Sequence, residues 1–380
     1  MSFEQRTDYE LSTAFPYFPP EEREWLHGEL EEILTGKLSL GPRVRAFEAA
    51  FAELCGVEHA VAFLNCTAAL EASLAALGVG PGDEVLVPPE TFVATGMAVH
   101  LAGAVPVFTE ISPETFAMDF DDALSRVGER TRGAIVVHFG GLIPPGLPAF
   151  VERMRREGRF VIEDAAHAPG AEHAGRRAGS IGDTGCFSFF PTKVMTSGEG
   201  GMLTTNDGAL ARAALSLQDR GRDLDAPAEL YALAGRSSRM PEIVAAMGLS
   251  QLRCLPGFLE RRRSVAAVYD RVLGASGVAD AVVPPPGDAP AYWRYTVVPR
   301  EPVDRAALRD RLREDRITVD WAYDPPLHLQ PVFRRLYGHR EGMLPRSEAL
   351  MARHVCLPVH ARMTDEDAEF VAERFVAALA

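Results

Sequence analysis

HAVAFLNCTAALEASLAALGVGPGDEVLVPPETFVATGMAVHLAGAVPVFTEI, residues 59–111, decides the fold class. Its apolar runs HAVAFLN (59–65), EVLVP (84–88) and VPVFTEI (105–111) are too short for helices and read as buried strands. Between them, TAALEASLAAL (67–77) and TFVATGMAVHLAG (91–103) carry helical patterns. Strands alternating with helices predict a sheet covered on both faces, an α/β architecture. The alternation continues through a helix near 119–128, GAIVVH (133–138), a helix near 147–157 and FVIEDAA (160–166), then GCFSFF (185–190) and GGMLTTN (200–206). Gly-x-Gly at 78–80 precedes a strand instead of following one, so it reads as a turn and not as a dinucleotide fingerprint.

Two amphipathic helices, 21–35 and 43–55, lead into this region. Pro241 opens a helical stretch that Pro256 is expected to interrupt, and FLERRRSVAAVYDRVL (258–273) forms a second helix. Beyond a proline-rich connection (278–292) come a strand at 292–299 and helices at 304–315 and 365–379. The predicted organisation is a large α/β domain over residues 1–250 and a smaller C-terminal α+β domain over residues 251–380.

The chain has 380 residues, 47% hydrophobic and 24% charged, which fits a folded globular protein. A net charge of -14 argues against nucleic acid or an anionic membrane as partner. No apolar run approaches the length of a membrane span, and the N-terminus lacks a basic segment followed by an apolar one. The five cysteines are scattered and never spaced as CxxC, the pattern of reduced thiols in a cytoplasmic protein, and no metal site is expected.

Of the basic residues only Lys37 and Lys193 are lysines, and Asn is as scarce, as codon bias in a GC-rich genome would produce. Arg serves most ion pairs but cannot form a Schiff base, so a lysine kept inside a motif points to amine chemistry. Lys193 lies in Ser188-Phe-Phe-Pro-Thr-Lys193, followed by the turn Gly198-Glu-Gly-Gly201. Three further pieces end predicted strands, where open α/β sheets place ligands. Asn65-Cys66-Thr67-Ala68 opens a helix, and Thr67 reads as an ordinary cap or as part of a phosphate site. Phe92 reads as core or as a residue stacked on a flat ring. Glu163-Asp164 ends an apolar strand, and a buried carboxylate there needs a partner such as a protonated ring nitrogen. Phosphate site, stacking aromatic, carboxylate and amine together describe pyridoxal 5'-phosphate.

At these residues the chain resembles the DegT/DnrJ/EryC1/StrS aminotransferases, sugar and cyclitol enzymes of the aspartate-aminotransferase-like fold type I. The motifs are GPRVRAFEAAFAELCGVEHAVAFLNCTAAL (41–70), GVGPGDEVLVPPETFVAT (78–95), IEDAAHAPGA (162–171) and GDTGCFSFFPTKVMTSGEGGMLTTND (182–207), with weaker echoes at 239–252, 325–328 and 344–360. The resemblance implies a mostly parallel seven-stranded sheet in the large domain. It implies that Lys193 is the Schiff-base lysine, Asp164 the partner of the pyridine nitrogen and His167 a neighbour of the phenolic oxygen. It further implies that Phe92 stacks on the ring and that Thr67, Ala68 and Ser188 contact the phosphate. Cys66 stands where the family has Gly. Ser237 stands where the family has an Asn that reaches the neighbouring subunit's cofactor, with Arg236 and Arg239 beside it.

The expected activity is transfer of an amino group from glutamate or glutamine to a keto-sugar or keto-cyclitol, in antibiotic, aminoglycoside or deoxyaminosugar biosynthesis, by a cytoplasmic homodimer with shared sites. Lys193 argues against a deoxysugar dehydratase, whose resemblance implies His there, and a non-catalytic regulator of the same fold is the other alternative. Tyr323, His328 and Arg239 are candidates for the acceptor's pocket, with Tyr292, Trp293 and Trp321 as further aromatics that core packing explains as readily.

Overall fold

The computed structural model describes residues 10–379. The expectation that no leader opens the chain concerns mostly residues 1–9, which lie outside the described residues.

Local sequence explains the first packing layer. In the helix Pro42–Cys55, proline opens the first turn, Val44, Phe47 and Phe51 are buried, and Gly56 ends it at φ 67°. This helix crosses the helix Glu242–Ser276 at Gly248, where a Cβ would lie 2.5 Å from the Phe47 ring. Only glycine lets the two backbones approach so closely.

The alternating region forms strands β1 (His59–Phe63), β2 (Glu84–Val87), β3 (Val105–Phe108), β4 (Thr131–Val137), β5 (Phe160–Asp164), a two-stranded hairpin of β6 (Glu172–His173) and β7 (Arg176–Arg177), then β8 (Thr184–Ser188) and β9 (Gly201–Thr205). Seven of them make one sheet in the order β1-β9-β8-β5-β4-β2-β3. The neighbours from β3 across to β8 pair in parallel, whereas β9 is antiparallel to both β1 and β8. Every residue of β5 and β8 is buried, as strands covered by helices on both faces require.

The helix Glu242–Ser276 runs for 35 residues without a break, so the interruption expected at Pro256 does not occur. Pro256 and Gly257 lie on its exposed side, where a carbonyl without its helical donor can be solvated. Leu255, Phe258 and Leu259, all buried, hold the helix in place around the proline. Its first half packs on the large sheet through Ala245 and Leu255, and its second half packs through Val265 and Tyr269 on a second core. Position 250 therefore falls inside a continuous element. The second core lies under an antiparallel sheet of β10 (Ala279–Ala281), β11 (Tyr295–Pro299) and β12 (Val355–Leu357), flanked by the helices Arg305–Glu314 and Asp365–Leu379. Leu11 bridges to Ile317, so the start of the described chain packs on this C-terminal unit. Among the described residues no helix is long and apolar enough to cross a membrane, and all five cysteines are free.

Candidate active site

The ends of β2, β5 and β8 open into a cleft of about 440 Å³, lined by residues that include Thr67, Phe92, Asp164, His167, Ser188 and Lys193. The C-terminal unit adds Trp293 and Tyr323.

Strand alternation sends the two adjacent carboxylates of β5 into different surroundings. Glu163 accepts hydrogen bonds from the backbone N–H groups of Gly179 (3.0 Å), Ile181 (2.7 Å) and Gly182 (2.7 Å), and lies 3.0 Å from His138 Nε2. Burial alone would raise its pKa, yet His138 and the loop amides hold the carboxyl below its ordinary range. It is an internal anchor with its acceptor sites used, not a solvated side chain. Asp164 is only 6% exposed and has far fewer partners. Its Oδ2 accepts from the Thr95 hydroxyl at 2.8 Å, and its Oδ1 accepts a long bond, 3.3 Å, from the Ala166 N–H. The Thr95 proton being committed to Asp164, the Thr91 hydroxyl donates to Thr95 at 2.7 Å. Burial pushes the Asp164 carboxyl upward, and Thr95 and the Lys193 ammonium oppose that. A buried carboxylate with spare lone pairs suits one more cationic donor.

Lys193 sits in the loop between β8 and β9, its backbone N–H bonded to the Phe190 carbonyl at 2.9 Å. Burial pushes its amine down to about 8, against the pull of Asp164. The amine is 4.6 Å from the centre of the Trp293 ring. The loop returns through Gly201, where a Cβ would lie 2.3 Å from the Asn65 carbonyl carbon, so glycine brings the lysine loop against the 65–67 turn. That turn opens the helix Cys66–Ala76, and its cap is Asn65, whose side chain accepts from the Ala68 N–H at 2.9 Å. The Thr67 hydroxyl is therefore not the cap and lines the cleft. The Ala68 amide is already bonded to Asn65, and Ala68 lies outside the cleft lining.

Phe92 is 58% exposed at the cleft mouth, which excludes a core role among the described residues. His167 Nε2 is 2.9 Å from the Tyr323 hydroxyl. Its ring stacks on Trp293 with centroids 3.7 Å apart and planes 11° from parallel. Burial, and then the Lys193 and Arg294 charges, hold His167 well below its usual range, so it is neutral.

Three candidates lie elsewhere. His328 is buried against Phe108 and bonds Glu348 at 3.0 Å. Arg239 pairs with Asp219 at 2.5 Å. Ser237 is exposed on the segment that bridges to Asp219, next to Arg236, which pairs with Glu71 at 2.6 Å. Sequence reasoning missed Thr95, although its i, i+4 spacing from Thr91 at the head of a helix is a readable pair. It left Trp293 undistinguished among the aromatics.

An amine, a buried carboxylate short of a donor, the Thr67 hydroxyl at a helix N-terminus, the Ser188 hydroxyl at a strand end (which accepts a long bond, 3.4 Å, from the Phe190 N–H) and an exposed aromatic fit pyridoxal 5'-phosphate. Comparison with known proteins gives the same answer. The family model of the DegT/DnrJ/EryC1/StrS aminotransferase family matches residues 20–376. GDP-perosamine synthase of Caulobacter vibrioides is 37% identical over 377 residues, 97% of each protein. A pleiotropic regulatory protein of Geobacillus stearothermophilus is 35% identical over 370 residues, 96% of each. The crystal structure of the aminotransferase TlmJ from Streptoalloteichus hindustanus superposes with a TM-score of 0.88 at 34% identity, over 97% of this chain and 98% of that one. The chain belongs to the DegT/DnrJ/EryC1/StrS aminotransferase family, whose enzymes depend on pyridoxal 5'-phosphate.

Proposed function

We propose that this aminotransferase moves an amino group from glutamate or glutamine to a keto-sugar carried on a nucleotide, in the making of a deoxyaminosugar. The Lys193 amine facing a buried, under-partnered Asp164 carries the reading of the site. The name of the Caulobacter relative supports the nucleotide-linked acceptor. A free keto-cyclitol or an aminoglycoside intermediate in antibiotic biosynthesis is the competing acceptor.

Bound pyridoxal 5'-phosphate supplies an aldehyde for amines and a ring that accepts electrons. Lys193 is the residue that would hold this group through its aldehyde, and as a free amine it would move a proton to and from the substrate carbon. An amine at about 8 is divided between both protonation states near neutral pH, as a group that must give and take a proton requires. Asp164, its carboxylate held by Thr95, would keep a proton on the ring nitrogen. Thr67 and Ser188 would hold the phosphate, Phe92 would cover the ring and neutral His167 would bond the phenolic oxygen. Tyr323, which lines the cleft, would meet the acceptor.

The working form is a homodimer. Leu230, Tyr231 and Leu233 are exposed on the same segment as Ser237, an apolar stretch suited to a second copy. The two-domain division, 1–250 and 251–380, is kept in this reading with the helix Glu242–Ser276 as connector. Five free cysteines suit the cytoplasm. A regulatory protein of the same fold is the alternative that the Geobacillus relative's name supports. Absorbance of the purified protein separates the two. A visible cofactor band that glutamate or glutamine discharges, and a keto-sugar restores, supports the enzyme, whereas an unchanging band refutes it.

A further inference from the structure

Trp293 is not among the groups given a role above, yet more of the cleft converges on it than on any of them. Its indole N–H donates to the carbonyl of Thr192, the residue before Lys193, at 2.7 Å. Its ring lies 4.6 Å from the lysine amine and stacks on His167 at 3.7 Å. The Arg294 guanidinium lies 4.0 Å from the same ring centre. His167, Arg294 and Lys193 thus all pack against the indole.

The backbone that carries Trp293 is fixed to the large unit on both sides. Ala291 N–H donates to the Gly141 carbonyl at 2.9 Å, and Arg294 N–H donates to the Gly140 carbonyl at 3.3 Å. A Cβ on Gly141, at φ 92°, would lie 2.8 Å from the Tyr292 nitrogen and 2.9 Å from both the Trp293 nitrogen and the His167 carbonyl oxygen. Tyr292 itself is held at φ 47°, a left-handed conformation that costs a non-glycine residue energy and persists only where its surroundings impose it. The Arg262 guanidinium, buried, donates to the Tyr292 carbonyl at 2.9 Å.

We propose that Trp293 is the positioning residue of this active site. Its N–H fixes the turn that carries Lys193, its face fixes the amine, and the same ring fixes the plane of His167. The C-terminal unit thereby orients two groups that belong to the large sheet. The charged and titratable groups around the amine are Asp164 on β5, Cys66 at the head of the helix Cys66–Ala76, and Arg294 and His167 against the indole. The proposal rests on Lys193 being the residue that carries the cofactor.

The test uses the holoenzyme and two variants. Trp293→Phe keeps a six-membered ring for the stack and loses the N–H together with the second ring of the indole. Trp293→Ala removes the ring. Visible circular dichroism, per bound cofactor, reads how asymmetrically the lysine-linked chromophore is held, and thermal melting reads stability separately. Trp293→Phe is expected to lower the ellipticity and to reduce kcat about tenfold, as loss of one hydrogen bond implies, with KM for the amino donor within about threefold. Trp293→Ala is expected to reduce kcat about a hundredfold, since the cation–π contact is lost as well. Wild-type ellipticity and kcat in Trp293→Phe, or a change confined to the melting temperature, would overturn the proposal. Borohydride reduction of the unsubstituted protein keeps the two readings apart. A pyridoxyl group mapped to Lys37 refutes the assignment of Lys193, whatever the Trp293 variants do.

Discussion

Replacing Asp164 by Asn removes a charge while preserving the shape of the side chain. The magnitude follows from the bonds around it. The carboxylate accepts from Thr95 at 2.8 Å and from the Ala166 N–H at 3.3 Å, and both partners can only donate in these bonds. An Asn amide has one oxygen. Turned toward Thr95, it keeps the shorter bond and sets its NH₂ against the Ala166 N–H. Turned the other way, it bonds the Ala166 N–H through its oxygen and makes the Thr95 hydroxyl an acceptor, which reverses the Thr91–Thr95 bond. In either orientation it offers a protonated ring nitrogen a dipole in place of a charge. A charge-assisted hydrogen bond is worth about 1.5–3 kcal/mol and a neutral one about 1 kcal/mol, so cofactor affinity should fall roughly three- to thirtyfold. The transition state depends on the charge more strongly, because electrons then move into the ring. Loss of one such stabilising group costs about 10²–10³ in rate. Asp164→Asn should therefore lose far more in the single-turnover reaction with the amino donor, followed by stopped-flow absorbance, than in cofactor titration. Transamination within about threefold of the unsubstituted protein would refute the reasoning, and so would equal losses in the two assays.

Other expectations are as direct. Lys193→Ala should retain the fold by circular dichroism, lose the visible band and carry no pyridoxyl group after borohydride reduction and peptide mapping. Covalent reloading of cofactor-stripped protein should rise with pH and level off above about 8, because burial depresses the Lys193 ammonium and only the neutral amine attacks the aldehyde. A rate independent of pH between 6 and 9 would count against this, on the roughly tenfold per unit that titration of one group requires. Arg236→Ala and Ser237→Ala should each weaken cofactor binding by about ten- to a hundredfold if that segment reaches the partner's phosphate through a charge-assisted bond. Mixed with Lys193→Ala chains, either variant should regain activity through one intact site per heterodimer, and mixing that restores nothing would dismiss the shared site.

Much of this molecule was legible in its sequence, for identifiable reasons. Buried parallel strands leave unbroken apolar runs, so the alternation over 59–111 transferred directly to the sheet. The surviving lysine stood out because Arg replaces it almost everywhere else. Asp164 and Glu163 were visible as a pair, but their division of labour was not. Three backbone amides from residues 179–182 satisfy Glu163, and only the folded loop brings them there. The cap of the helix Cys66–Ala76 lies two residues earlier, at Asn65 instead of Thr67, because both residue types cap well and the register decides between them. Trp293 stayed hidden for a topological reason. It lies a hundred residues from Lys193 along the chain, and an aromatic beside a strand is core far more often than it is a clamp. Pro256 misled through a sound local rule that packing on both sides overrode.

That uninterrupted helix has a mechanical consequence. At 1.5 Å per residue, 35 residues make a rod about 50 Å long, embedded at one end in each core. The C-terminal unit, which carries Trp293 and Tyr323 to the cleft, is thus mounted on a stiff beam and not on a flexible tether. Such a beam bends most easily where a backbone hydrogen bond is missing and a side chain is absent, at Pro256–Gly257. Opening and closing of the cleft to admit a bulky acceptor would load that single point, and small angular flexing there would be magnified into displacement at the distant indole.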